Sequence, residues 1–381
     1  MILSWVTAFL VGTDLFIIAP LLPSIGQDMH VAPASLAVLV SVFSVTYAIT
    51  SPIFGRFAQR HGLSRQLRMG VFLLGMANVY TALAPSVLQL ACSRLFAGLG
   101  AASITPILYA LVAERATAGQ RGRSLAVISS GLVLALAGGA PLGLLLGGLS
   151  SWRWVFGGLG VALTATLPAH RHVWCALQEQ AVAPASPPVV LTNTAERLLD
   201  AWPLFLGMVL WAASVYCTYT LIGTALEDGR KWPLHAVAAM LVCFGVGATV
   251  GSVSGGRLAD VLGATAIIRW NFLLAAVAFA AAAWMYQVDS PWLLGPTLFV
   301  IALLAYSVFP ALQTRAAEQF HDLRPVVLGL LSSALYVGIT VGASGGAALY
   351  QRTGMIGVVL GSSCVAATGH LLGWWLPSRR N

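Results

Sequence analysis

"GRFAQRHG" occupies Gly55 to Gly62 and "GRLADVLG" occupies Gly256 to Gly263, so nearly the same octapeptide is written twice at an offset of 201 residues. Glycine, arginine, alanine and glycine recur at matching places, but the fifth residue is Gln59 in the first copy and Asp260 in the second. Two further pairs share the spacing. "TPILYALVAE" (Thr105 to Glu114) matches "FPALQTRAAE" (Phe309 to Glu318) at an offset of 204, and "SSGLVLALAGGAPLG" (Ser129 to Gly143) matches "SSALYVGITVGASGG" (Ser332 to Gly346) at 203. Three weak matches at one near-constant spacing read as an internal duplication. The competing reading is coincidence, because glycine, alanine and leucine are abundant in this chain.

The composition says what medium the duplicated unit lives in. Of 381 residues, 58% are hydrophobic and 8% charged, whereas a soluble domain carries roughly a quarter charged residues. A helix needs about 20 apolar residues to cross a bilayer. Apolar runs between charged or Pro/Gly-rich breaks predict twelve spans, near 2-24, 35-54, 69-86, 88-113, 125-147, 153-168, 202-225, 234-255, 271-288, 291-314, 326-349 and 355-376. Trp152, Trp154, Trp202, Trp232, Trp270, Trp292, Trp374 and Trp375 fall near their ends, as an interfacial aromatic belt requires.

The net charge of +8 raises the question of nucleic acid, but the basic residues form no single patch. Fifteen of the 20 fall in alternate loops and at the C-terminus, four (Arg153, Arg230, Lys231, Arg352) in the other loops, and Arg94 inside a span. By the positive-inside rule both termini are cytoplasmic. The first span lacks a basic flank and a small-residue cleavage site, so it reads as a retained helix. The expected fold is all-α integral membrane, with twelve transmembrane helices in two pseudo-symmetric six-helix bundles. Residues 1-168 form the first half, 169-200 a cytoplasmic linker rich in proline and polar residues, and 201-381 the second half.

Several chemistries are excluded on spacing. The five cysteines show no CxxC pair and sit mostly in spans, so no metal site is expected. There is no GxxxxGK[ST] loop to power transport with ATP. Gly98/Gly100 and Gly158/Gly160 lie in apolar spans, without the strand-turn-helix setting of a dinucleotide site. No cofactor and no nucleic-acid partner are expected.

Over essentially its whole length the sequence resembles the major facilitator superfamily, in particular its twelve-helix drug/proton antiporter and sugar-efflux branch. The two octapeptides resemble the loop motif between the second and third helix of each half. "RLFAGLGAA" (Arg94 to Ala102) resembles the fourth-helix motif, "GGAPLGLLLGGLSSWRWVF" (Gly138 to Phe156) the fifth-helix glycine-proline motif, and "GTDLFIIAPLLPSI" (Gly12 to Ile25) the first-helix acid followed by Leu-Pro. The resemblance implies a conformational latch at Gly55, Arg56, Gln59, Gly62, Gly256, Arg257, Asp260 and Gly263, in which Asp260 keeps an ion-pairing acid that Gln59 lacks. It implies a half-to-half packing motif at Gly139, Pro141, Gly143 and Gly147, weakened where Ala140, Leu144 and Leu145 replace common glycines. Glycines also let helices approach closely in lipid whatever the function.

Asp14 and Arg94 are the clearest charges inside spans, each costing about 2.5–3.5 kcal/mol at a helix centre. Counted from the span ends, both fall in the outer half, so they can pair. One reading makes them a fixed salt bridge. The other makes Asp14 a proton carrier, because desolvation favours a neutral carboxyl and a nearby cation a charged one. His370 is expected to be a packed, hydrogen-bonded residue, and Glu227 and Asp228 to lie in a solvated outer loop. Trp211, Tyr216, Tyr219, Tyr306 and Phe309 are candidates to line a cavity for a flat amphipathic substrate, with core packing an equal alternative.

These features converge on a monomeric secondary transporter of the plasma (inner) membrane, not an enzyme, that exports a small drug-like, sugar-like or metabolite molecule in exchange for protons. The alternatives are an uncoupled or uptake transporter of the same fold, and a non-transporting sensor, which would usually need an output domain larger than any segment expected outside the bundle.

Overall fold

The computed structural model describes residues 1–115, 121–175, 199–288, 290–320 and 324–375. The central part of the expected linker, 176–198, and the basic end with Arg379 and Arg380 lie outside the described residues. Every regular element among the described residues is a helix. Apolar solvent requires this, since a helix satisfies its own backbone hydrogen bonds where no water can.

The first stretch comprises α1 (Ile2–Met29), a 3₁₀ turn (Pro33–Ala37), α2 (Val38–His61), α3 (Leu63–Leu83), α4 (Val87–Arg115), α5 (Arg121–Leu134), a π-helical turn (Ala135–Gly139), α6 (Ala140–Leu149), α7 (Trp152–Ala165) and α8 (Leu167–Cys175). The second comprises α9 (Trp202–Thr224), a π-helical turn (Ala225–Gly229), α10 (Leu234–Leu262), α11 (Ala264–Val288), α12 (Pro291–Gln319) and α13 (Arg324–Gly373). Among the described residues, nine helices are long and apolar enough to cross a membrane, against the twelve spans expected. The difference of three from the expectation has local causes. α3 carries Arg65 and Arg68 near its start, the α7–α8 helix is interrupted at Thr166, and α13 contains a non-helical break at Gly354 (φ 69°) that joins two arms into one element.

Matching side chains recur in the two stretches. In the first, Gln66 Nε2 of α3 donates to Ser103 Oγ of α4 at 2.8 Å; in the second, Asn271 of α11 donates to Ser307 of α12. The breaks at the two octapeptides also match: Gly62 has φ 90° and ψ 130°, and Gly263 has φ 88° and ψ 135°. A positive φ of this kind is essentially a glycine conformation, and it turns each helix directly into the next.

The tryptophan expectation holds with one correction. Trp154, Trp202, Trp270, Trp292, Trp374 and Trp375 are exposed and Trp232 is half-buried, but Trp152 is buried against Phe156 and beneath the Arg153 guanidinium. Arg153 also donates to the Ala82 and Ala84 carbonyls at the end of α3 and to Asp28 at 2.9 Å, tying α1, α3 and α7 together. Glu227 and Asp228 are not a solvated loop. They sit half-buried in the π-helical turn that extends α9, where burial and a continued backbone ladder replace the expected loop. His370 is packed as expected, with Nδ1 2.8 Å from the Arg269 carbonyl.

Candidate functional site

Asp14 of α1 and Arg94 of α4 meet as the sequence allows. Arg94 Nη1 donates to Asp14 Oδ1 at 3.0 Å, and both residues are only 1% exposed. Arg94 Nη2 donates to Thr81 Oγ1 of α3 at 2.8 Å, and the guanidinium carbon lies 5.0 Å from the Phe156 ring centroid of α7. Thr81 donates to the Ala77 carbonyl at 2.9 Å, with Ser93 Oγ at the same distance. Three neighbouring helices therefore hold the cation of α4, whereas the carboxylate is held by one bond. Among the described residues Asp14 Oδ2 has no hydrogen-bond partner, and neither does Arg94 Nε. An unsatisfied carboxylate oxygen in a buried site is an expense, and it is an atom free to take a proton or a donor. Thr81 and Phe156 were not singled out in the sequence, because one threonine or phenylalanine among many in a span carries no signal.

The glycine motif determines where α1 stands. A Cβ on Gly139, Gly143 or Gly147 would come within 2.3 Å of Thr13, 2.2 Å of Ile17 and 2.8 Å of Leu21, respectively. Glycines four apart on one helix thus receive side chains four apart on the other, the i±4 row that lets two helices approach closely in lipid. Thr13 precedes Asp14, so this ladder fixes the depth of the carboxylate. Pro141 has no N–H to give and its ring crowds the carbonyl four residues back, that of Ala137. The chain accommodates this by widening into the π turn Ala135–Gly139, closed by Ala140 N–H to the Ala135 carbonyl. The far face of that turn meets α10, where a Cβ on Gly245 would come within 2.3 Å of Ala137 Cα. A parallel ladder serves the second stretch. Gly338, Gly342 and Gly346 of α13 pack on the backbone of α9 at Val209, Ala213 and Cys217.

The five aromatic candidates gather in one cluster. Trp211 packs edge-on to Tyr306 at 5.3 Å and tilted to Phe309 at 5.0 Å, and donates Nε1–H to the Ala305 carbonyl at 2.6 Å. Tyr216 and Tyr219 lie 6.0 Å apart, and Phe244 joins Tyr219 to Tyr306. The sequence reading missed Phe16, Phe43, Tyr47, Phe244 and Tyr336. Phe16 of α1 reaches Tyr216 (6.5 Å) and Tyr219 (6.1 Å), while Tyr47 of α2 stacks on Tyr336 of α13 at 3.6 Å, with Phe43 beside it. These last contacts cross the seam between α1–α8 and α9–α13.

Comparison with known proteins gives these helices a family. The sequence profile of the Major Facilitator Superfamily matches residues 4–343. The chain belongs to this superfamily. Among relatives, it is 27% identical over 380 residues to the chloramphenicol resistance protein of Streptomyces lividans, covering 95% of this chain and 92% of that one. It is 25% identical over 367 residues to the MFS-type transporter YceJ of Bacillus subtilis (94% and 90%), and 26% identical over 374 residues to the inner membrane transport protein YdhP of Escherichia coli (96% and 90%).

On this superfamily member, the hydrogen bonds across the seam among described residues share one trend in depth. Ser41 Oγ lies 2.8 Å from Ser344 Oγ, Gln351 Nε2 donates to Ser35 Oγ at 3.4 Å, and Tyr219 O–H donates to the Phe16 carbonyl at 3.1 Å. Gly223 packs on Pro20 and Gly148 on Leu234. With the Tyr47–Tyr336 stack, these contacts run from mid-depth to the end where α1 joins α2. The expected latch lies at the opposite end. There Gly256 has open space around it and Arg257 is exposed, while the side-chain surroundings of Gly55, Arg56, Gln59 and Asp260 lie outside the described residues.

Proposed function

We propose that this superfamily member is a proton-coupled exporter of a small amphipathic molecule, built as two six-helix halves that rock about the seam. The observation that carries the proposal is the unpartnered Oδ2 of a carboxylate only 1% exposed, on a helix that also supplies Phe16 to the seam. Protonating that oxygen removes the charge Arg94 holds, so the energy of the pair changes whenever the site exchanges protons with water. A group whose charge differs between two access states couples proton flow to the change of state.

The wider reading is the twelve-crossing one. α3, residues 153-168 of the α7–α8 helix and the two arms of α13 each serve as crossings, with residues 1-168 and 201-381 as the halves. The paired glycine ladders, the two amide–hydroxyl pairs and the matched Gly62 and Gly263 support it. The positive-inside pattern supports cytoplasmic termini, and the relative named as an inner membrane transport protein supports the inner membrane. In that orientation the seam contacts close the outer side. Export is supported by the relative named for chloramphenicol resistance.

A second reading has a specific observation in its favour. Arg94 is anchored on Thr81 and Phe156 as well as on Asp14, as a fixed brace would be. Reconstitution in proteoliposomes separates the two. With an imposed pH gradient, substrate efflux in the wild type is expected to dissipate the gradient, and Asp14→Asn to abolish that dissipation while the protein stays folded. Unchanged coupling in Asp14→Asn would sink the proton assignment and leave the brace.

A further inference from the structure

The rings that cross the seam state what kind of molecule replaces them. In the closed arrangement Tyr47 stacks on Tyr336 at 3.6 Å, and Phe16 packs against Tyr216 and Tyr219. If the halves part in each transport cycle, Tyr47, Tyr336 and Phe16 lose these cross-seam partners at once, while Tyr216 and Tyr219 keep each other and Phe244. Rings stripped of a stacking partner in a site away from bulk water are best satisfied by another flat π-system.

The charge of that molecule follows from the inventory around it. Among the described residues the buried acidic and basic side chains are Asp14, Arg94, His170 and Arg315. Asp14 is the one carboxylate in that set, and its charge is already matched by Arg94 at 3.0 Å. The first acids after Tyr219, Glu227 and Asp228 in the turn that extends α9, begin eight residues beyond it, roughly 12 Å along the helix at 1.5 Å per residue. A cation entering the cluster would give up its hydration without finding an uncompensated negative charge, and a buried unpaired charge is strongly disfavoured. Cation–π attraction to the rings opposes this, but it is the smaller effect beside full desolvation. Unpaired buried polar atoms among the described residues include Asp14 Oδ2, Arg94 Nε and the Ser44, Thr220 and Thr224 hydroxyls, so either a donor or an acceptor on the molecule can be met.

Resting on the transport reading above, we infer that the aromatic cluster selects net-uncharged aromatic molecules that carry a hydrogen-bonding group, such as an aromatic alcohol or amide, and rejects planar cations. The selection is made by charge balance, not by shape alone.

The test is equilibrium binding to the purified full chain in detergent, which needs no proton gradient and so fails or succeeds apart from the coupling assignment. The probes are a panel of uncharged aromatic amides and alcohols headed by chloramphenicol, with ethidium as the planar cation. At least one uncharged probe is expected to bind saturably, with ethidium weaker by about tenfold or more, as the cost of one uncompensated buried charge dictates. Tyr306→Leu should weaken the uncharged probe several-fold at unchanged helical circular dichroism. Arg94→Gln, which leaves Asp14 unmatched, should move the preference toward ethidium. Should that variant not fold, the wild-type ratio alone decides. Ethidium binding as tightly as the best uncharged probe, or no saturable binding by any uncharged probe, overturns the inference.

Discussion

Gly245→Ala tests the seam directly. A methyl group at this position would lie 2.3 Å from Ala137 Cα, 2.6 Å from Ala137 N and 2.8 Å from Leu136 C, while ordinary contact begins at 3.4 Å. All three neighbours are backbone of the π turn, so no rotamer change relieves the clash. α10 must withdraw from that turn by about 1 Å, the difference between those distances. Overpacking of this size costs about 1–3 kcal/mol. Replacing an interior helical glycine by alanine returns about 1 kcal/mol in either state, so overall stability is a poor readout. The cost, by contrast, falls only on the state in which the seam is shut. The equilibrium between states should therefore shift about 5- to 150-fold toward opening at that end. Ser41→Cys and Ser344→Cys, placed in a cysteine-free background, report the shut state, because the native hydroxyl oxygens are 2.8 Å apart. Gly245→Ala is expected to slow cross-linking of this pair by a short reagent by the same factor, and Gly158→Ala, which has nothing within 4 Å, to leave it unchanged. Equal cross-linking rates in all three proteins would refute the claim that this glycine governs closure.

Two further outcomes follow from local geometry. Gly263→Ala forces a side chain onto φ 88° and ψ 135°, at a cost of about 1–3 kcal/mol, so its melting temperature should fall while that of Gly256→Ala does not; equal melting temperatures would contradict the assigned turn. His170 lies beyond the expected span 153-168 and is fully buried, within 2.9 Å of Thr7 Oγ1. Burial, and secondarily the charge of Arg68, push its imidazole down from 6.5 to about 4. Above pH 6.5 the ring is neutral in both the folded and unfolded chain and pH has no effect through it. Between 6.5 and 4 the unfolded chain takes up a proton that the fold refuses, so stability drops as pH falls, by up to about 1.4 kcal/mol per unit. Thermal melts of His170→Gln over that window should show a shallower loss than wild type, and parallel curves would disprove the assignment.

How much of this site could be read from sequence depended on the chemistry of each residue. Asp14 and Arg94 were legible as a pair because lipid leaves a charge no other way to be satisfied. Once both were placed in one half of the bilayer, each was the other's only charged candidate, and the structure brings them to 3.0 Å. The repeated glycines were legible only as a packing face: Gly139, Gly143 and Gly147 at fourfold spacing describe one face of one helix. That face meets Thr13, Ile17 and Leu21 of α1 in the same half instead of the other half as expected, and it is Gly148 against Leu234 and Ala137 against Gly245 that cross the seam. Phe16, Tyr47, Phe244 and Tyr336 were not, although they complete the cluster around Tyr216 and Tyr306.

The difference is one of obligation. A soluble helix announces its inner face by an apolar stripe, whereas a helix such as α9, buried along nearly its whole length, is apolar on every side. An aromatic ring is at ease against lipid, against another helix or against a substrate, so its presence in a span does not report where it points. Trp152 makes the same point in reverse: beside a helix end it reads as interfacial, yet Phe156 and the Arg153 guanidinium enclose it. Sequence therefore exposes the part of a membrane site that must be neutralised and conceals the part that merely packs. On the inference drawn here, it is that second, concealed part that meets the substrate. The substrate's charge is thus the more legible property, because it is set by the pair that could be read, and its shape is the less legible one.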